Sequence, residues 1–208
     1  MRVNEQGRSM IEMLGVLAIV GVLSVGGIAG YSKAMTKFKT NKVIDQVNML
    51  STNIRTLYSS QRTFNGLDNA LANKAGAVPA EMVEDNSTSV IQNGFGGDVY
   101  ITTGFHLTQA DNAYLIAFGS IPKAACVTMA TTDWGGDVGS GFSYMLVDSS
   151  GGTVKAIADT EAARTTDPAA ASNIAKPGDP TYPTPMTVVN AQTSCSHATN
   201  NMIVWKYI

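Results

Sequence analysis

From Met13 to Tyr31 the chain is apolar almost without interruption, and no charged side chain falls inside that run. As a helix the stretch is about long enough to cross a hydrocarbon core of roughly 30 Å. One carboxylate, Glu12, stands at its start. In lipid such a group costs on the order of 2.5–3.5 kcal/mol at mid-membrane and less near the interface, so it calls for a partner. Downstream, Val43, Val47, Leu50, Ile54 and Leu57 recur at spacings of four, three, four and three. That is the stripe of an amphipathic helix with one face made for packing. No proline occurs from Ser9 to Gln61, so the pattern predicts one helix from Ser9 to about Ser60, about 78 Å long at 1.5 Å per residue. Gly15, Gly21, Gly26, Gly27 and Gly30 soften its apolar part, and the Gly26–Gly27 pair is a place for a kink or local unwinding. Residues 8–31 are therefore hydrophobic all round, and residues 32–60 are amphipathic and suit one sheet of their own domain.

Beyond Gln61 the texture changes to that of a globular domain, residues 61–208. Phe64 to Asn69 reads as a turn, Leu67 to Ala77 as a short helix and Asp85 to Ser89 as exposed loop. Asn93-Gly94-Phe95-Gly96-Gly97-Asp98 is a tight turn leading into a strand at Val99–Thr102. It lacks the Lys-Ser/Thr pair and following helix of a phosphate-binding loop. Further strands are expected at Tyr114–Phe118, Phe142–Val147, Thr153–Ala158 and Met202–Tyr207. Ser120 to Thr131 reads as a helix with Ser120 as N-cap and Pro122 near its first position. Five prolines from Pro168 to Pro185 mark a surface excursion with little regular structure before Thr187. One long helix followed by antiparallel strands indicates an α+β fold.

Charge changes the picture little. Charged residues make up 14% of the chain and the formal net charge is −2, which gives no electrostatic reason to expect nucleic acid as a partner. The local exception is Lys33, Lys37, Lys39 and Lys42, read as the membrane–water boundary. By the positive-inside rule they favour a cytoplasmic location for the following domain. The two cysteines, Cys126 and Cys195, follow the apolar segment, so an exported domain places them where disulfides form. A bridge between them closes a loop of about 70 residues, worth roughly 4 kcal/mol on a chain-entropy view. The other use of two thiols, a metal or catalytic site, needs companions, and His106 and His197 are the only histidines. Cys195-Ser196-His197 is too short to bind zinc alone. No nucleophile elbow, zinc-protease or paired-carboxylate motif occurs, so no catalytic, cofactor-binding or metal-binding residue is assigned. Trp134, Trp205, Tyr100, Tyr144 and Tyr207 are read as core packing or contacts between copies rather than a ligand face. Asn86-Ser87-Thr88 matches a glycosylation sequon and is read as chance.

The start of the chain resembles the processing site of type IV prepilins: the polar leader MRVNEQ, Gly7, four residues, Glu12 and an apolar helix. The rest is similar to type IVb pilins of the bundle-forming and plasmid-encoded kind. That likeness rests on Leu57-Tyr58 through Gly66-Leu67-Asp68, the turn at Asn93–Gly97, Lys123-Ala124-Ala125-Cys126 and a second cysteine before a final strand. The resemblance implies a leader, residues 1–7, cut by a prepilin peptidase between Gly7 and Arg8, with methylation of the new amino group. It implies the pilin fold, in which one long helix with a protruding apolar half packs on an antiparallel sheet and the C-terminal region is closed by a disulfide. It implies that Glu12 neutralises the N-terminus of a neighbouring copy. Implied partners are membrane lipid before assembly, an inner-membrane assembly platform with its ATPase, and further copies in a helical extracellular filament serving adhesion, aggregation or motility. Arg8 departs from the apolar or aromatic residue usual there.

Other readings remain open at this point. Gly27-Ile28-Ala29 offers a small-residue cleavage site, which would make the run a secretory signal and the remainder a periplasmic binding domain. The run could also be a plain membrane anchor, a buried helix of a soluble core, or the anchor of a periplasmic enzyme. Within the pilin class, the alternative is a minor pilin or a pseudopilin of type II secretion.

Overall fold

The computed structural model describes residues 6–84, 89–135 and 140–208. The expected loop at Asp85–Ser89 and the sequon at Asn86 lie mostly outside the described residues. Helix α1 runs Gln6–Leu57 and stays helical across Gly26–Gly27, so no local unwinding occurs there. The chain divides into two compact units, Met1–Phe38 and Lys39–Ile208, so the second half of α1 belongs to the head.

In the head, Val43, Val47, Leu50 and Ile54 are completely buried, as their spacing predicts. The stripe ends differently from the expectation. Leu57 is 37% exposed, and Tyr58 takes the last core position at 6%. Tyr58 lies four residues after Ile54, one helical turn on and facing the same way.

Five strands form one antiparallel sheet in the order β1-β2-β5-β3-β4. They are β1 Val99–His106, β2 Gln109–Ile121, β3 Phe142–Asp148, β4 Ile174–Ala175 and β5 Asn201–Tyr207. The last strand is central, held between β2 and β3, and all seven of its residues are buried. Alternation sorts the side chains onto two faces. Ile101, Ile116, Phe118, Ile203 and Trp205 share a core with the α1 stripe. Leu115, Ala117, Tyr144, Leu146 and Val204 share a second core with Val154 and Ala158.

Those last two residues correct the sequence reading. Thr153–Ala158 is no strand. Val154–Ala162 is helix α4, started by Thr153, whose hydroxyl accepts from the Ala156 N–H. Its buried residues Val154, Ala158 and Glu161 are spaced four and three, the period of a helix. A second correction concerns Ser120. It caps no helix, because β2 continues through a register shift to Ile121, which pairs with Asn201. Helix α3 starts only at Lys123, with Pro122 as its N-cap. Helix α2, Asn69–Lys74, is shorter than expected and is capped by Asp68. Helix α5 is Val188–Ser194. Within the proline-rich excursion, Ile174–Ala175 still pairs with Met145 and Leu146.

The turn before β1 is built around Asn93. Its side-chain oxygen accepts from the N–H groups of Phe95 and Gly97, and its amide donates to the Gly119 carbonyl. A Cβ on Gly97 would lie 2.1 Å from the Gly119 oxygen, so only glycine lets the two backbones approach. Gln46 on α1 holds the same turn from below, accepting from the Gly94 N–H and donating to Glu81.

Candidate functional site

The first unit carries the assembly residues expected from the sequence. Gly7 and Arg8 lie in the helical backbone of α1, and the Arg8 side chain falls outside the described residues. Glu12 is exposed on the helix. Around and above it the large apolar side chains from Met10 to Ile28 are all solvent-facing, between 52% and 76% exposed. Among the described residues one helix, α1, is long and apolar enough to cross a membrane, and none of its apolar window is buried. A soluble domain rarely leaves so large a contiguous apolar surface uncovered, which marks a lipid or protein contact.

The four lysines past this segment separate into two pairs. Lys42 Nζ lies 3.5 Å from Glu81 Oε1, and Lys39 Nζ sits 6.0 Å from the centroid of the Phe95 ring. Both are thus engaged by the head to which they belong. Lys33 and Lys37, in the first unit, are exposed.

Cys126 of α3 and Cys195 at the end of α5 form a disulfide, with Cα atoms 5.9 Å apart and a sequence separation of 69. Both are fully buried, and their sulfurs are consumed by the bond. His197 is exposed, and its Nδ1 accepts from the N–H groups of Thr199 and Asn200. His106 ends β1, half-buried. The aromatic residues behave as core: Trp134 packs edge-on against Trp205 at 5.0 Å, and Tyr114 stacks on Tyr207 at 5.2 Å. Tyr144 is fully buried, whereas Tyr100 is half-buried beneath Lys155.

Sequence reasoning missed a polar network inside the second face of the sheet. Lys206 is completely buried, and its Nζ donates to Asp167 Oδ1 at 2.6 Å. Ser143 donates to the other oxygen of Asp167. Burial alone would raise the Asp167 carboxyl. The hydrogen bonds from Lys206 and Ser143, with the charges of Lys206 and Lys176, outweigh it and hold the group below the usual carboxylate range. Beside them Tyr144 donates to the buried Glu161, which also accepts from Arg164. Burial and the Glu161 charge push the Tyr144 hydroxyl far up, so it stays a donor. On the first face, burial raises Tyr114 to about 12 against the opposing pull of Arg55. The one signal for Lys206 is its setting in the apolar run Met202–Tyr207, which speaks for burial on both faces.

This arrangement of helix, antiparallel sheet and C-terminal disulfide is the type IV pilin fold. The crystal structure of TcpA, a type IV pilin from Vibrio cholerae El Tor, matches it with a TM-score of 0.55 over 82% of this chain and 99% of that one, at 19% identity. Residues 32–179 match the Bundlin family model, and the chain belongs to the Bundlin family. It is 30% identical over 131 residues to the major structural subunit of bundle-forming pilus of Escherichia coli O127:H6, covering 63% of this chain and 66% of that protein. The chain thus spans slightly less than two thirds of that relative's length. Toxin coregulated pilin of Vibrio cholerae serotype O1 is 25% identical over 159 residues, covering 76% of this chain and 68% of that protein.

Proposed function

We propose that the chain is the structural subunit of a type IVb pilus. It is made as a prepilin held in the inner membrane by residues 8–31, cut after Gly7 by a prepilin peptidase, and assembled into an extracellular filament. The observation that carries this reading is an uncovered apolar helix bearing one carboxylate, joined to a head of the Bundlin family. In the head, buried Lys206 pairs with Asp167 and buried Glu161 with Arg164, and the two cysteines are joined.

Assembly moves the apolar half from lipid into a bundle of identical helices. Both surroundings are equally apolar, so burial supplies little net drive. Register comes instead from charge. The amino group freed at Arg8 meets Glu12 of a neighbour, and two groups that are each costly in an apolar medium lower that cost by pairing. The work is supplied by an assembly platform with an ATPase, and the contacts run head to tail without closing, the geometry of a fibre. Replacing Glu12 by alanine tests the pairing. Filament protein sheared from cells should fall at least tenfold while the membrane pool of the subunit stays at its normal level. Normal piliation by Glu12→Ala would remove the pairing role.

A further inference from the structure

We propose that Lys33 and Lys37 form a headgroup site for an anionic phospholipid, with Tyr31 and Phe38 anchoring the helix at the same interface from another side. The inference rests on the membrane-held precursor proposed above and names the lipid that this precursor takes at its outer end. The two lysines are four residues apart on α1 and so lie on one face, with Cβ atoms about 5–6 Å apart. That separation lets two ammonium groups reach the oxygens of a single phosphodiester. Both are exposed, whereas Lys39 and Lys42 are held by Phe95 and Glu81 within the head.

Level and charge agree. From Glu12 to Gly30 the helix rises about 27 Å, close to the roughly 30 Å of a hydrocarbon core. With Glu12 at one boundary, residues 31–38 fall at the other. They span about 10 Å of helix, a little more than the roughly 5–8 Å of one headgroup layer. Tyr31 and Phe38 are 68% and 63% exposed, and seven residues bring them back to one side of the helix, two turns apart and turned away from the lysine face. Aromatic rings at the boundary, with lysine stems lying along the apolar surface and their charges raised toward the phosphates, are the usual anchors of a spanning helix. No acidic residue occurs between Glu12 and Asp45, so nothing within this segment competes with phosphate for the two cations. Zwitterionic lipids offer the same phosphate with a cancelling ammonium, and charge complementarity therefore selects a headgroup of net negative charge.

Native mass spectrometry of the full-length chain, released from detergent micelles doped equally with phosphatidylglycerol and phosphatidylcholine, tests the site. The wild type should retain phosphatidylglycerol roughly 25-fold over phosphatidylcholine, since each of the two lysines near an anionic surface is worth about fivefold. Lys33→Gln with Lys37→Gln should abolish that preference, and a control pair in the head, Lys74→Gln with Lys123→Gln, should leave it intact. Equal retention of both lipids by the wild type overturns the proposal, as does a preference that survives in the Lys33/Lys37 variant. A loss of self-association in that variant, without any lipid preference in the wild type, would assign the lysines to an acidic face of a second copy and also overturn it. Alkaline carbonate extraction of membranes distinguishes the two levels. A chain that washes off has no membrane-held precursor at all, whereas one that stays embedded without lipid preference loses only the headgroup site.

Discussion

Lys206 is an expensive side chain to bury, and its cost is met by the Asp167 carboxylate with the Tyr144 ring 5.4 Å away. Removing one partner of a buried ion pair leaves an uncompensated charge, worth about 3–5 kcal/mol. Asp167→Ala should therefore destabilise the head by about that amount in urea unfolding, and adding Lys206→Met should recover most of it. The pair also fixes the sign of the acid response. The Asp167 carboxyl lies below its unfolded value, so the unfolded chain binds the proton more readily. Its contribution is complete above the unfolded carboxylate pKa of about 3.9 and is lost as pH falls through the lower folded value. Wild-type stability should thus decline below about pH 4, with a weaker decline in Asp167→Ala. None of this network was legible from residue type, because a lysine or glutamate in sequence reads as a solvent position, and Asp167 reaches Lys206 from 39 residues away. Glu12 was legible for the opposite reason: an acid beside an uncharged run stands out without any knowledge of the fold.

Elements were legible where one period ran long enough to dominate. The second half of α1 shows its stripe over four turns, and the only slip was at its end, where Tyr58 rather than Leu57 reaches the core. The strands at Tyr114–Phe118 and Met202–Tyr207 are real because β-branched and aromatic runs of that length are hard to place otherwise. Short segments failed. Val154–Ala158, apolar apart from Lys155, is helical, since the helix-forming residues that follow and the Thr153 cap decide the matter. Local strain was invisible as well. The β1–β2 hairpin turns on Leu107 and Thr108, with φ of +48° and +64°, a conformation that costs an L-residue about 1–2 kcal/mol. The closing pair is His106 and Gln109, and Leu107 is 75% exposed, so it packs little. Replacing Leu107-Thr108 by Asn-Gly, which suits such two-residue turns, should raise stability by about 1–2 kcal/mol. Thermal unfolding of the variant checks this, and a lower midpoint would mean that the tip is held by contacts worth more than the strain.

For the molecule as a whole, a small number of constraints tie the C-terminal part to the sheet. The excursion after α4 has only a two-residue strand in the sheet, and the disulfide fastens α5 to α3 ahead of the central strand β5. Its closed loop is worth about 4 kcal/mol. Cys126→Ser with Cys195→Ser should lose roughly that much, seen as a drop in the urea midpoint with reduced export of subunit. The central claim is that the apolar half is kept in the mature subunit and used twice, first in lipid and then among copies of itself. The intact mass of the subunit from sheared filaments tests it most directly. The account predicts a chain beginning at Arg8, raised by one methyl group and carrying both cysteines oxidised. A chain beginning at Gly30, or a secreted form without the apolar helix, would contradict it.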